Sequence, residues 1–181
     1  MPFLATEPGK TIPLNIEVAI TTELEKNRVR CSKVLIYDWR TDPSVVIDET
    51  LQIIQGKRRY DNLFIGIDPG KNLGIAVLGD GVVLETKIML SEEEVAMECL
   101  RIMERLKGEK KVVKIGNGAK RYRSKLLRIL DEKLPPKIGI ELVEERGTTK
   151  NIRMYNSTNS TDASSAINIS MRNGYQLIRG K

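Results

Sequence analysis

The sequence contains no histidine, two cysteines and few aromatic residues. Without histidine the chain has no Ser-His-Asp triad, no histidine general base and no zinc site of the Cys-His kind. Cys31 and Cys99 do not form a metal-binding or redox motif, so we expect two reduced thiols in a cytoplasmic protein. Any metal site must therefore consist of carboxylates, which favour Mg²⁺ or Mn²⁺.

The sequence also lacks a long apolar run. No stretch of about 18 apolar residues occurs, so we expect no membrane-spanning helix and no membrane partner. The opening residues, MPFLATEPGKT, have no basic segment followed by an apolar one, and we expect no signal peptide. Aromatic residues make up 4% of the chain, so recognition of unpaired bases by stacking is not indicated.

Positive charge is concentrated in one segment. The chain has a net charge of +6, but residues 107–128 hold nine basic side chains against one acid, which gives this segment +8. The rest of the chain carries 21 basic and 23 acidic side chains. A local basic field favours a polyanionic partner such as nucleic acid. Taken alone, a charge run is explained more simply by a solvated helix surface.

Residues 1–60 are predicted to form an α/β appendage of unknown role. The elements expected there are a strand at 16–20, a short helix from Thr21 or Thr22 to Asn27, a strand at 32–37 and a helix that begins at Asp42-Pro43 and ends at Gln55. No motif that carries chemistry occurs in this region.

Residues 61–181 show a more regular pattern and are predicted to form a second domain. The elements expected there are strands at 63–68, 73–79 and 82–89, a helix from Ser91 to Leu106, a strand at 111–115, a basic helix ending near Leu134, a strand at 138–143 and a helix at 162–172. The predicted fold class is α/β, with a mixed central sheet and the element order β-β-β-α-β-α-β-α.

An acidic residue follows the first strand of this domain. The segment IGIDPGKNLGIAV, residues 65–77, contains an apolar strand, Asp68, a Pro-Gly turn and a second apolar strand. The turn glycine lets a phosphate backbone or a metal approach the carboxylate. Glu144 and Glu145 end a late strand, and Asp162 begins the last helix. Taken singly, Asp68 is equally well explained as a turn residue and Asp162 as a helix cap.

Together these carboxylates fit one kind of chemistry. Phosphodiester cleavage needs an activated water and stabilisation of the leaving oxygen, and two divalent ions about 4 Å apart provide both. Three or four carboxylates on rigid elements hold such ions. In this scheme Asp68 bridges the ions, a strand-end glutamate holds one and Asp162 holds the other. Because strand side chains alternate between faces, Glu144 and Glu145 cannot both face the site.

Four segments within residues 62–174 resemble the RuvC/YqgF branch of the RNase H-like superfamily. They are IGIDPGKNLGIAVL (65–78), VVKIGNG (112–118), ELVEERGTTKN (141–151) and DASSAINIS (162–170). The resemblance implies an RNase H-like fold and an endonuclease that uses Mg²⁺ or Mn²⁺ to cut structured nucleic acid, such as a Holliday junction or a ribosomal RNA precursor. Junction resolvases act as symmetric dimers, so it also implies a homodimer.

The resemblance selects among the acidic residues. It matches Asp68 and Asp162 to catalytic, metal-binding positions and favours Glu145 as the strand-end acid, with Glu144 close behind. Glu141 aligns with the acid of RuvC-type resolvases and is a competing metal ligand. The predicted contacts with nucleic acid are Lys71, Lys114, Lys120, Arg121, Arg123, Lys125 and Arg146.

The sequence departs from the family pattern in two places. Only twelve residues separate Thr149 from Asp162, fewer than the family has there. Asn159 stands where a further acid or histidine often precedes the final aspartate. The alternative to a nuclease is therefore a nucleic-acid-binding protein of the same fold that has lost catalysis.

Overall fold

The computed structural model describes residues 3–144 and 161–179. Contacts between Cα atoms divide the chain into two compact units, Met1–Arg58 and Arg59–Lys181. In the described ranges, every helix is too short or too polar to cross a membrane.

The N-terminal unit combines a small parallel sheet with one long helix. Strand β1 (Val18–Thr21) pairs in parallel with β2 (Lys33–Ile36), and helix α1 spans Pro43–Ile54. The side chain of Asp42 accepts a hydrogen bond from the Ser44 amide, as the sequence predicts for a capping residue ahead of proline.

The prediction of a short helix after Thr21 or Thr22 is wrong. The segment forms only a 3-10 turn at Lys26–Arg28. The carbonyl of Thr22 accepts hydrogen bonds from the amides of Glu25 and Lys26, which closes a turn instead of starting a helix. A helix of six or seven residues gains too few hydrogen bonds to offset the cost of its first turn.

The C-terminal unit is built on one six-stranded sheet. Its elements are β3 (Tyr60–Asp68), β4 (Leu73–Gly79), β5 (Val82–Met89), α2 (Glu92–Arg105), β6 (Gly108–Gly116), α3 (Lys120–Lys133), β7 (Gly139–Val143), α4 (Thr161–Met171) and β8 (Tyr175–Gln176). The strand order across the sheet is β5-β4-β3-β6-β7-β8. Strand β3 is antiparallel to β4 and parallel to β6, and β6 is parallel to β7. The α/β class and the mixed sheet are thus confirmed, and β8 is a strand that the sequence did not predict.

Side-chain alternation divides the sheet into two faces. Leu63, Ile65 and Ile67 of β3 point to the face that packs against α2 and α3 and forms the main core. Phe64, Gly66 and Asp68 therefore point to the opposite face. Helix α4 lies on that face, where Ala76 and Leu78 of β4 and Ala166 and Ile167 of α4 form a second, smaller cluster.

Two glycines allow α4 to lie directly on the sheet. A Cβ atom added to Gly66 would lie 2.1 Å from the carbonyl oxygen of Ala166, and one added to Gly74 would lie 2.3 Å from that of Asp162. Both contacts are with helix backbone, which cannot rotate aside as a side chain can. The absence of a side chain at these two positions therefore sets how closely α4 approaches β3 and β4.

Basic side chains cap two of the helices at their carboxyl ends. The Lys111 ammonium donates to the carbonyls of Met103 and Leu106 at the end of α2. The Arg179 guanidinium donates to the carbonyls of Asp131 and Leu134 at the end of α3, at 2.7 and 2.6 Å. Cations satisfy the unpaired carbonyls of a helix end and are favoured by the helix dipole. Part of the basic character of the sequence thus serves the fold.

Candidate functional site

Three parallel strands end at the same edge of the sheet. Asp68 ends β3, Gly116 ends β6 and Val143 ends β7. The pairing keeps these ends level, because Ile67 lies opposite Ile115 and Gly116 lies opposite Val143. The carboxyl ends of parallel strands are where open α/β sheets bind their ligands. We call this region the carboxyl edge.

Asp68 and the start of α4 meet at the carboxyl edge. Asp68 is half-buried and pairs with Gly74 across the antiparallel β3–β4 ladder, which places the two Cα atoms about 5 Å apart. The backbone of Asp162 in turn packs on Gly74. The first turn of α4 therefore lies next to Asp68, on the sheet face to which the Asp68 side chain points. The backbones of Asp68 and Asp162, which are 94 residues apart in the sequence, thus lie close together at this edge.

Glu141 and Lys114 lie on the same face, further from the edge. They are opposite each other in the β6–β7 pair, and Lys114 Nζ is 3.9 Å from Glu141 Oε2. Their side chains are only 4% and 14% exposed. Burial is the main cause that lowers the pKa of Lys114; Glu141 opposes this lowering and Lys110 adds to it.

The Lys114 ammonium has two further partners. It donates a hydrogen bond of 2.6 Å to the carbonyl oxygen of Arg172, just after the end of α4. It also lies 4.0 Å from the centroid of the Phe64 ring. Glu141 is thus the counter-ion of a buried lysine, which does not fit its predicted role as a metal ligand.

The described carboxylates provide only part of the predicted metal site. Within residues 3–144 and 161–179, no three acidic or cysteine side chains are placed to hold a metal ion together. Glu144 is exposed beyond the end of β7. Glu145, the preferred strand-end ligand, lies outside the described residues. Asp68 and Asp162, which stand on a strand end and a helix start, have the oxygen donors that Mg²⁺ and Mn²⁺ prefer, and they fit part of such a site.

Three of the predicted phosphate-binding residues are exposed at the carboxyl edge. Lys71 lies in the turn between β3 and β4, directly after the Asp68-Pro69-Gly70 segment. Lys120 and Arg121 begin α3, and three residues separate the end of β6 from the start of α3. Three exposed cations therefore lie at the same edge of the sheet as the two aspartates.

The other predicted phosphate-binding residues have different surroundings. Lys114 is buried, which is at odds with contact to a phosphate and corrects that prediction. The partners of the remaining described residues are Glu92 and Glu93 for Lys125, at 3.0 and 3.2 Å, and the Asn117 carbonyl for Arg123, at 2.6 Å. Arg146 lies outside the described residues.

By its structure this protein is an α/β protein with two acidic residues at the carboxyl edge of its larger sheet. No protein-family model, no curated protein and no solved structure matched the chain. The function of the protein must therefore be inferred from the sequence motifs and from the geometry of the carboxyl edge.

Proposed function

We propose that this chain is a metal-dependent phosphodiesterase of the RNase H-like superfamily that cleaves structured nucleic acid. The observation that carries the proposal is the packing of Asp162 on Gly74, the strand partner of Asp68. The element order and the mixed sheet are compatible with an RNase H-like fold and support the assignment. A nuclease of this kind needs its acids to converge from separate, rigid elements.

In this proposal Asp68 and Asp162 hold Mg²⁺ or Mn²⁺. Glu145, or Glu144 in its place, is the third carboxylate, an assignment that depends on the sequence alone. When bound, such ions would lower the pKa of a coordinated water and stabilise charge at the leaving oxygen. The protein contributes the fixed placement of the carboxylates, because β3 and α4 are packed against each other through backbone contacts.

The basic side chains of the edge position the substrate. Lys71, Lys120 and Arg121 would neutralise phosphates on either side of the bond to be cut. Such contacts orient a nucleic acid without reading its sequence. They suit a branched or folded substrate that is recognised through the shape of its backbone.

A cleavage assay with matched variants tests the proposal. The purified protein is incubated with four-way DNA junctions, linear duplex DNA and hairpin RNA, in Mn²⁺, Mg²⁺ or EDTA. We expect cleavage of a branched or hairpin substrate that requires the divalent ion. The Asp68→Asn variant, purified in parallel, controls for contaminating nucleases. Cleavage that persists in EDTA, or equally in the variant, would contradict the proposal.

A second candidate is a nucleic-acid-binding protein without catalytic activity. It is favoured by the sequence, in which Asn159 stands where the family resemblance expects a further acid or histidine before the final aspartate. In that case binding to the same substrates persists in EDTA and no ion supports cleavage. The two candidates thus differ in cleavage and agree in binding.

Both candidates predict that the start of α3 binds phosphates. Replacing Lys120 and Arg121 by alanine should lower the affinity for a DNA junction about tenfold at moderate salt and reduce the slope of log K against log salt by about 2. Fluorescence anisotropy titrations at several salt concentrations measure both quantities.

The matched control removes the same charge at the other end of β6. Lys107 and Lys110 are exposed there, about 20 Å or more from the carboxyl edge along the strand. Their double alanine variant should keep the affinity within about twofold. Equal losses in the two double variants would mean that binding follows net charge and not the carboxyl edge.

A further inference from the structure

The contact between α4 and the sheet combines small residues with larger ones. Gly66 and Gly74 on the sheet meet the backbone and small side chains of α4, including Ala166 and Ser170, and Leu78 and Ile167 belong to the same contact. Contacts between small residues permit close approach, but they present few ridges that would prevent a helix from sliding or rotating. Directional contacts would therefore add to this packing in fixing the position of α4 along the sheet.

Directional contacts occur at the carboxyl end of α4. The buried Lys114 ammonium of β6 donates to the Arg172 carbonyl at 2.6 Å. The Arg172 guanidinium donates to the carbonyl of Glu144, beyond the end of β7, at 3.0 Å. A charged donor on a helix-end carbonyl is stronger than a neutral one and is further favoured by the helix dipole. The end of α4 is thus tied to two neighbouring strands.

Glu141 allows the lysine to occupy this place. An unpaired ammonium buried under a helix would be strongly unfavourable, and the carboxylate at 3.9 Å and the Phe64 ring at 4.0 Å compensate its charge. Because α4 spans 11 residues, these contacts act about 15 Å from the helix start, where the Asp162 backbone packs on Gly74, the strand partner of Asp68.

We propose that Lys114 and Glu141 are positioning residues, which fix α4 on the sheet and thereby set the place of Asp162 relative to Asp68. The anchoring of α4 is independent of what the protein does, and only its consequence for metal binding depends on the proposed function. Glu141, which the family resemblance marks as a competing metal ligand, is assigned to Lys114 instead.

The key variant replaces both residues by apolar ones, Lys114→Met with Glu141→Leu. Exchanging a buried ion pair for apolar side chains of similar size is often neutral for stability, whereas Lys114→Met alone would leave a carboxylate buried without its partner. We expect the double variant to fold with a Tm near that of the wild type. Hydrogen exchange of the α4 amides should become about tenfold faster, and Mn²⁺ should bind about tenfold more weakly.

Lys111→Met is the matched control. Lys111 stands on the same strand, points to the opposite face and caps α2 in the same way. This variant should speed exchange at the end of α2 only and leave Mn²⁺ affinity unchanged. Glu141→Gln separates the two roles of Glu141. A positioning residue predicts that any loss of Mn²⁺ affinity comes with faster exchange of the α4 amides and does not exceed the loss in the double variant, whereas a ligand predicts a larger loss with unchanged exchange.

The outcomes distinguish this inference from the proposed function. Unchanged hydrogen exchange of the α4 amides in the double variant would show that Lys114 and Glu141 do not fix α4 on the sheet. Faster exchange with unchanged Mn²⁺ affinity would overturn the positioning of Asp162, as would a loss of affinity in Glu141→Gln without faster exchange of the α4 amides. A wild-type protein that binds no Mn²⁺ would contradict the proposed metal site. Hydrogen exchange would still show whether Lys114 and Glu141 fix α4 on the sheet.

Discussion

Replacing Gly66 by alanine should cost the C-terminal unit about 3 kcal/mol or more of its free energy of unfolding. The new Cβ atom would lie 2.1 Å from the carbonyl oxygen of Ala166 and 2.7 Å from the amide nitrogen of Ser170. Both are backbone atoms of α4, so the helix must move away as a whole and lose its contacts with β3 and β4. For a unit of this size we expect Tm to fall by about 10 °C or more.

Gly139→Ala in β7 is the control for this substitution. The atom nearest to its new Cβ is a methyl carbon of Val112 at 3.4 Å, which is an ordinary contact. We expect a change in Tm of no more than about 2 °C, since alanine also restricts the unfolded chain slightly more than glycine does. Thermal unfolding followed by circular dichroism measures both variants. Equal values of Tm for the two would show that α4 does not pack on Gly66 as described.

The strands and helix starts of the C-terminal unit were predictable because their signals are local. Strands β4 and β5 have the bounds expected from their apolar runs and turn residues. The Ser91 hydroxyl accepts a hydrogen bond from the Glu94 amide at 3.2 Å, as the capping pattern predicts. Such elements are encoded by residues within a few positions of one another.

The role of Lys114 was not predictable in the same way. Lys114 lies in a predicted strand and within the basic segment 107–128, which suggested a phosphate contact. The structure buries it because α4, which begins 47 residues later, covers that face of the sheet. Lys114 and Glu141 are paired across neighbouring strands and point to the same face, but this is known only once the β6–β7 register is known.

The candidate site, too, was predictable only in its local features. The sequence identified Asp68 and Asp162 as acids at the ends of regular elements, but it gave no distance between them. That distance depends on Gly74. In the sequence Gly74 is part of an ordinary hairpin strand, but in the structure the backbone of Asp162 packs directly on it. Small residues in the last helix were the available signal, because glycine on a sheet and alanine or serine on a helix permit close packing.

Asp68→Asn should reduce metal-dependent cleavage about 10³-fold, the largest loss expected of any single substitution outside the core. The change keeps the size of the side chain and removes its charge, so a cation is held less tightly at the carboxyl edge. Because Asp68 is half-buried at a strand end, the fold should tolerate the amide, and we expect Tm to stay within a few degrees of the wild type. Single-turnover cleavage of a junction in Mn²⁺, beside calorimetric Mn²⁺ titration, measures both effects.

Asp61→Asn makes the same chemical change at the other end of the same strand. Asp61 is exposed near the start of β3, seven residues before Asp68 and therefore about 23 Å away. Its variant should cleave and bind Mn²⁺ as the wild type does. A loss confined to Asp68→Asn would place the chemistry at the carboxyl edge. If both variants lost activity equally, the effect would follow net charge, and if neither did, the nuclease proposal for this edge would fail.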